Sequence, residues 1–288
     1  MENYQEEFKS FLSLKKNYSQ NTVNSYISDI GLFLRYLSEE GISVEEVTKN
    51  TIMSYLSYLR KMGKSSSTSA RYIAAVRLYF HFLMLEKIVS SNPCEDIKVA
   101  RDEKKPPQIL SPQEIENLLS SPDTGTKKGR RDKAMLELLY ATGMRAGEII
   151  LLKVGDINLS LNYCICSSGR KNRLIPFGKK AGEALKNYID PSQIANDSYL
   201  FSKTNGQPLS RQGFWKIIKE YAQKVGLDSS ISPSILRNSF AAHMIYNGAD
   251  LESVQELMGF ADINALNAYG KMNKKRIMDV YSSSHPRA

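Results

Sequence analysis

The sequence predicts a mainly α protein of two domains: a four-helix N-terminal domain, then a larger, mostly helical domain with a small antiparallel sheet. Three observations carry that prediction. Apolar residues recur at helical spacing through most of the first hundred positions. A charged, proline-bearing stretch, ARDEKKPPQ (Ala100 to Gln108), then breaks the periodicity. Beyond it, only the region from Tyr163 to Phe177 shows the short alternating runs of paired strands.

In the first domain, residues 1–99, a short helix opens the chain. Asn21-Thr22 can cap a second, in which Val23, Tyr26, Ile27, Ile30, Phe33, Leu34 and Leu37 form one apolar stripe ending before Gly41. Thr51-Ile52 opens a third, with Ile52, Leu56, Leu59 and Met62, halted by Gly63. Serine-rich SSSTS leads into a fourth from Ala70 to Leu85, whose Tyr72, Ile73, Val76, Tyr79, Phe80 and Phe82 make a broad apolar face. At that spacing the aromatics are expected to fill a core.

Residues 100–109 are the linker, and residues 110–288 the second domain. Ser111-Pro112-Gln113-Glu114 places Ser at an N-cap, Pro at the first helical position and Glu at the third. A helix from Asp132 to Tyr140 carries Ala134, Met135, Leu138 and Leu139. YCIC (Tyr163 to Cys166) and RLIPF (Arg173 to Phe177) flank the polar turn SSGRKN as a β-hairpin. Helices resume at Ala181 to Tyr188 and Gln212 to Val225. Ser232-Pro233 starts a helix through Phe240 and Met244 that ends at Asn247-Gly248. Asp250 caps Leu251 to Met258, and Asp262 caps the segment bearing Tyr269.

Charge and composition narrow the chemistry. The net charge is +9, with 12 Lys+Arg against 11 Asp+Glu in the first hundred residues and 27 against 19 in the rest. A basic second domain suits a polyanion such as nucleic acid, although a soluble protein with a basic surface has the same balance. No apolar run approaches the roughly 20 residues of a membrane span, and the acidic start MENYQEEF does not resemble a signal peptide, so a cytoplasmic location is expected. Cys94, Cys164 and Cys166 make no disulfide framework. Cys164 and Cys166 alternate with apolar residues and read as small hydrophobes on one strand face. The three histidines, His81, His243 and His285, are scattered, no paired carboxylates mark a divalent-metal site, and no Gly-rich loop cradles nucleotide phosphates. Neither metal nor cofactor is expected. A metal- and nucleotide-independent reaction on DNA stays open, provided that arginines neutralise the phosphate and a side chain attacks it.

Two long motifs sharpen this. RDKAMLELLYATGMRAGEIILLKVGDI (Arg131 to Ile157) and SPSILRNSFAAHMIYNGADLESVQELMGFADINALNAYGKM (Ser232 to Met272) resemble the two catalytic boxes of the tyrosine recombinases, the phage integrase family, and especially its Xer-like branch. The likeness runs to the closing HPRA (His285 to Ala288). It implies an N-terminal SAM-like core-binding domain and a C-terminal catalytic domain that grip double-stranded DNA from opposite sides. The basic linker would then tether two halves of a clamp, although a plain solvated linker has the same composition. It also implies cleavage through a 3′-phosphotyrosine that conserves bond energy, so that neither ATP nor metal is needed. Tyr269 matches the nucleophile. Arg145 and Arg237 match the two arginines that hold the nonbridging oxygens, where fork geometry and permanent charge suit a crowded phosphorane.

Lys171 is the candidate general acid, because the family carries a lysine on this hairpin. The turn reads one residue short, direct alignment puts Ser168 or Gly169 at the lysine's place, and Lys171 equally suits a backbone contact. Two positions depart further. The family's H-x-x-R is Ser234-Ile235-Leu236-Arg237, and its later His or Trp is Phe260. Serine is no proton acceptor near neutral pH, and phenylalanine cannot donate. Lost acid–base help costs about 10²–10⁴ in rate, and a lost donor about 10²–10³. His243, six positions beyond Arg237, is expected to face elsewhere. The resemblance further implies homo- or hetero-tetramers on two duplexes, with Lys274 to Tyr281 docking on a neighbour. The expectation is a site-specific recombinase, slow or partner-dependent; the alternative is a cleavage-deficient architectural or regulatory DNA-binding subunit.

Overall fold

The computed structural model describes residues 4–99, 106–168, 171–189, 195–203, 205–228, 230–260, 262–266 and 269. The chain divides into two compact units, Met1–Lys105 and Pro106–Ala288. Residues 100–105, and the expected docking segment from 274 to 281 with the terminal HPRA, lie outside the described residues.

The first unit holds α1 (Gln5–Ser10), which runs into a π-helical turn (Phe11–Lys15), then α2 (Gln20–Glu39), α3 (Lys49–Lys61) and α4 (Ser66–Leu85). Each long helix starts earlier than its apolar stripe suggests. The caps are Ser19, Thr48 and Ser65, whose side chains accept from the backbone N–H of Thr22, Thr51 and Thr68. Each is the first hydroxyl of a Ser/Thr-x-x-Thr pair, and the apolar stripe begins only after the second. Gly41 and Gly63, both at positive φ, follow α2 and α3. The aromatics are core, as expected: Phe8, Phe33, Tyr55, Tyr79 and Phe80 are buried, with Phe33 and Tyr55 ring centroids 5.0 Å apart in an edge arrangement.

The second unit begins with α5 (Pro112–Ser120), where Ser111 and Glu114 form the expected capping box. It continues through α6 (Lys127–Thr142), α7 (Ala146–Leu151), β1 (Ile157–Asn158), β2 (Tyr163–Ser168), β3 (Lys171–Pro176), α8 (Lys179–Tyr188), α9 (Arg211–Lys224), α10 (Pro233–Tyr246) and α11 (Leu251–Met258). The three strands form one antiparallel sheet in the order β1-β2-β3. Helix α6 starts five residues before the predicted Asp132, because its first turn, KKGRR, has no apolar stripe to betray it. The two-residue β1 is too short to leave a pattern. Strands β2 and β3 also absorb most of SSGRKN, pairing Ser167 with Asn172 and Ser168 with Lys171. Lys171 is therefore a strand residue and not part of the turn; a backbone ladder needs no apolar side chains to form.

Cys164 and Cys166 are buried two residues apart on one face of β2, as small core side chains. They join a core of α5, α6, α8 and α9 side chains that includes Leu138, Leu185 and Phe214. A second cluster, Phe240, Ala241, Ala242, Ile245, Val254, Met258, Leu266 and Tyr269, packs α10 against α11 and the segment after it. No described helix is long and apolar enough to cross a membrane, and no described group of three or more His, Cys, Asp or Glu could hold a metal ion.

Candidate active site

Four chain segments meet at the C-terminal end of α11. Arg145 is the N-cap of α7; its backbone N–H donates to Glu148 Oε2 at 2.7 Å and its Nη1 to Glu148 Oε1 at 3.0 Å. Its Nη2 donates to the Gly259 carbonyl at 2.9 Å, and the side chain remains half exposed. Arg237, one turn into α10, is buried, and its Nη2 donates to the Met258 carbonyl at 2.8 Å while Nη1 donates to Gly143 O. The two guanidiniums thus grip consecutive carbonyls. They are also close enough to repel: burial, and then the charge of Arg145, pulls Arg237 down to about 10. Arg237 remains a cation at neutral pH.

Local sequence explains these placements. Gly143 ends α6 in the left-handed conformation, where a side chain would collide with the Phe240 ring, so its carbonyl can lie beside α10. Gly259 ends α11 the same way at φ +62°. Phe260 follows it, and its ring stacks on Arg237 with the guanidinium carbon 4.7 Å from the ring centroid. Phe260 is therefore a packing partner of Arg237.

Tyr269 is buried in the α10–α11 cluster, and its hydroxyl donates to Asn238 Oδ1 at 2.9 Å, next in sequence to Arg237. Burial raises the phenol above its usual value, and Arg237 pulls the other way. Ser234 is exposed in the first turn of α10, three residues before Arg237. Lys171 opens β3, and its side chain lies outside the described part of the structure. The structure therefore brings Arg145, Arg237, Phe260 and Tyr269 together. His243 stands apart, as expected: its Nδ1 pairs with the Tyr140 hydroxyl at 2.8 Å, and burial lowers its pKa.

Sequence reasoning does not pick out Glu148, Arg173 or Asn238. Glu148 accepts from Arg145 and forms an ion pair with Arg173 at 3.1 Å. Its signal was available, since an acidic residue three after an N-cap reads as a helix-start device. Arg173 and Asn238 leave no signal beyond their neighbours Lys171 and Arg237.

Residues 108–276 match the phage integrase family, and residues 6–87 match the N-terminal SAM-like domain of phage integrases. The chain is 40% identical over 293 residues to tyrosine recombinase XerD of Listeria innocua serovar 6a, covering 98% of each chain. It is 39% identical over 290 residues to tyrosine recombinase XerD of Staphylococcus epidermidis, again covering 98% of each. Its fold resembles the XerH site-specific recombinase bound to a palindromic difH substrate, with TM-score 0.76, 23% identity, and 93% and 81% of the two chains covered. It also resembles the Tn1549 transposon integrase in complex with transposon right end DNA, with TM-score 0.74, 18% identity, and 95% and 99% covered. With both halves matched and this identity sustained along nearly its whole length, the chain belongs to the tyrosine recombinases of the phage integrase family.

Proposed function

We propose that this chain is a tyrosine-type site-specific recombinase that cuts and rejoins double-stranded DNA, with Arg145, Arg237 and Tyr269 as its working centre. The observation that carries the reading is the pair of guanidiniums held side by side on the Met258 and Gly259 carbonyls, with the Tyr269 hydroxyl hydrogen-bonded one residue from Arg237. Each guanidinium has five N–H donors, so both keep donors free for a phosphate. The Tyr269 oxygen attacks the phosphorus, a 3′-phosphotyrosine bond forms as the bond to the 5′-oxygen breaks, and that oxygen leaves with a proton as a 5′-hydroxyl. Attack of a partner strand's 5′-hydroxyl reverses the step, and the phenol recovers its proton. Arg145 and Arg237 neutralise the charge that grows on the nonbridging oxygens. Lys171 is the candidate donor to the leaving oxygen, or else a backbone contact. Ser234 and Phe260 leave proton transfer poorly served, so cleavage is slow.

Four strands in two duplexes require four nucleophiles, which favours a homo- or hetero-tetramer on DNA. A DNA substrate also favours the cytoplasm as the site of action. Phosphate contacts dominate affinity, which falls as salt rises. The test is a nicked duplex that traps the covalent intermediate, carrying a site found by binding selection and run on a denaturing gel. A protein–DNA adduct that vanishes in Tyr269→Phe is expected. Sequence-selective, salt-sensitive binding with no adduct would overturn the reading in favour of a DNA-binding subunit without cleavage.

A further inference from the structure

Arg173 is the third guanidinium at the end of α11, and the reaction outlined above gives it no task. Resting on the recombinase reading, we propose that Arg173 is a positioning residue that couples the β2–β3 hairpin to the arginine pair. It would do so by holding Glu148 against Arg145 and bracing the Gly259 turn.

The geometry has two arms. On one side, Arg173 Nη2 lies 3.1 Å from Glu148 Oε1, the same oxygen that accepts from Arg145 Nη1 at 3.0 Å. One carboxylate oxygen therefore spans two guanidiniums, one on α7 and one on β3. Burial pushes Glu148 upward, but the Arg145 backbone N–H and the charges of Arg173 and Arg145 outweigh it and hold the carboxyl below its usual value. On the other side, the Arg173 guanidinium fills the space over Gly259 where a side chain would sit. The Gly259 carbonyl receives Arg145, and the carbonyl before it receives Arg237. Arg173 thus packs on the turn that orients both.

Arg173 also belongs to the element that carries the candidate general acid. Lys171 lies two residues before it on β3, and Arg173 pairs with Cys166, whose Sγ accepts from its Nη2 at 3.4 Å. A planar fork is needed to meet Glu148, Cys166 and the Gly259 turn together, and a lysine ammonium meets only one of them well. A plain buried ion pair would stabilise the fold without linking the hairpin to catalysis. The two roles predict different data.

The experiment uses the full chain, with Arg173→Lys, Glu148→Gln and the double variant. Single-turnover cleavage of the nicked duplex should fall roughly 10–100-fold in Arg173→Lys, as a misplacement of about an ångström costs. DNA affinity should change less than about threefold, because free phosphate donors on Arg145 and Arg237 persist. The loss in the double variant should be smaller than the product of the two single losses, since both share one carboxylate while the Gly259 contact belongs to Arg173 alone. Hydrogen exchange without DNA should show faster exchange at the Gly259 and Phe260 amides in Arg173→Lys. Wild-type cleavage by Arg173→Lys, or losses that multiply in the double variant, would overturn the proposal. If the wild-type chain yields no adduct, the recombinase reading fails instead, and unchanged exchange at Gly259 and Phe260 would then overturn the coupling on its own.

Discussion

On the proposed mechanism, placing histidine at Ser234 and at Phe260 gives the most direct test of where catalysis is weak. Ser234 is exposed in the first turn of α10, so histidine fits there without repacking, and the stability change should stay within about 0.5 kcal/mol. It lies three residues before Arg237, on the same side of the helix. The helix N-terminus disfavours an added positive charge, which keeps an imidazole there neutral and able to exchange a proton near pH 7. A well-placed acid–base group contributes about 10²–10⁴ in rate, so Ser234→His should speed adduct formation by at least about tenfold even with imperfect geometry. Phe260→His keeps a ring over Arg237, 4.7 Å away in the present stack, and adds a donor. Such a donor is worth about 10²–10³ when aimed at the developing charge. The gains should fall short of additive, because both serve one transition state. Rates come from single-turnover trapping on nicked DNA at fixed salt. If both single variants and the double variant fold, bind DNA like wild type and cleave no faster, proton transfer is not the weak link and the reasoning fails.

Three further outcomes follow from the described contacts. Tyr269→Phe removes one hydrogen bond to Asn238 and leaves the ring packed, so thermal unfolding should shift by only about 0.5–1.5 kcal/mol while adduct formation is abolished. His243→Phe should leave the cleavage rate per folded molecule unchanged and cost about 1–3 kcal/mol, because it strands the half-buried Tyr140 hydroxyl. In the first unit, burial raises Asp29 to about 6 despite its 2.9 Å ion pair with Arg71. The folded value lies above the unfolded one, so this stabilisation is complete below about pH 4 and lost as pH rises through about 6, at most about 3 kcal/mol. Hydrogen exchange in α2 and α4 should show that loss in wild type and not in Asp29→Asn.

What was legible in the sequence follows from what each feature needs to be visible. Apolar stripes reveal α2, α3 and α4 because their packing requires a repeating face. The starts of those helices hide in hydroxyl pairs, and the start of α6 hides in a polar turn. Ser111-Pro112 and Asp250 mark their helices correctly because capping is local chemistry. The hairpin is visible from Cys164, Cys166 and Ile175, which must be buried, whereas its polar end around Lys171 reads as a turn though it is strand. At the site, Arg145, Arg237, Phe260 and Tyr269 were nameable from their motifs. Glu148 and Arg173 matter through a shared contact made only in three dimensions, and no one-dimensional pattern announces it.

The arrangement also explains how three like charges can sit close together. Arg145, Arg173 and Arg237 face one carboxylate, Glu148, which leaves an excess of positive charge. The balance is supplied by main-chain carbonyls at the C-terminal ends of two helices, Gly143 after α6 and Met258 and Gly259 at the end of α11. Each helix end carries about half a negative charge. These carbonyls offset repulsion without neutralising the site, so a phosphate entering it meets donors already in place and little reorganisation is needed. Tyr269, the proposed nucleophile, is different: its hydroxyl is held by Asn238, and that hydrogen bond has to be released for attack. On the proposed mechanism, the electrostatic half of catalysis is built, and the proton-handling half at Ser234 and Phe260 is thin. On that division, the expected behaviour is firm phosphate binding with slow cleavage, and a donor added at Ser234 should raise the rate of cleavage without tightening the grip on DNA.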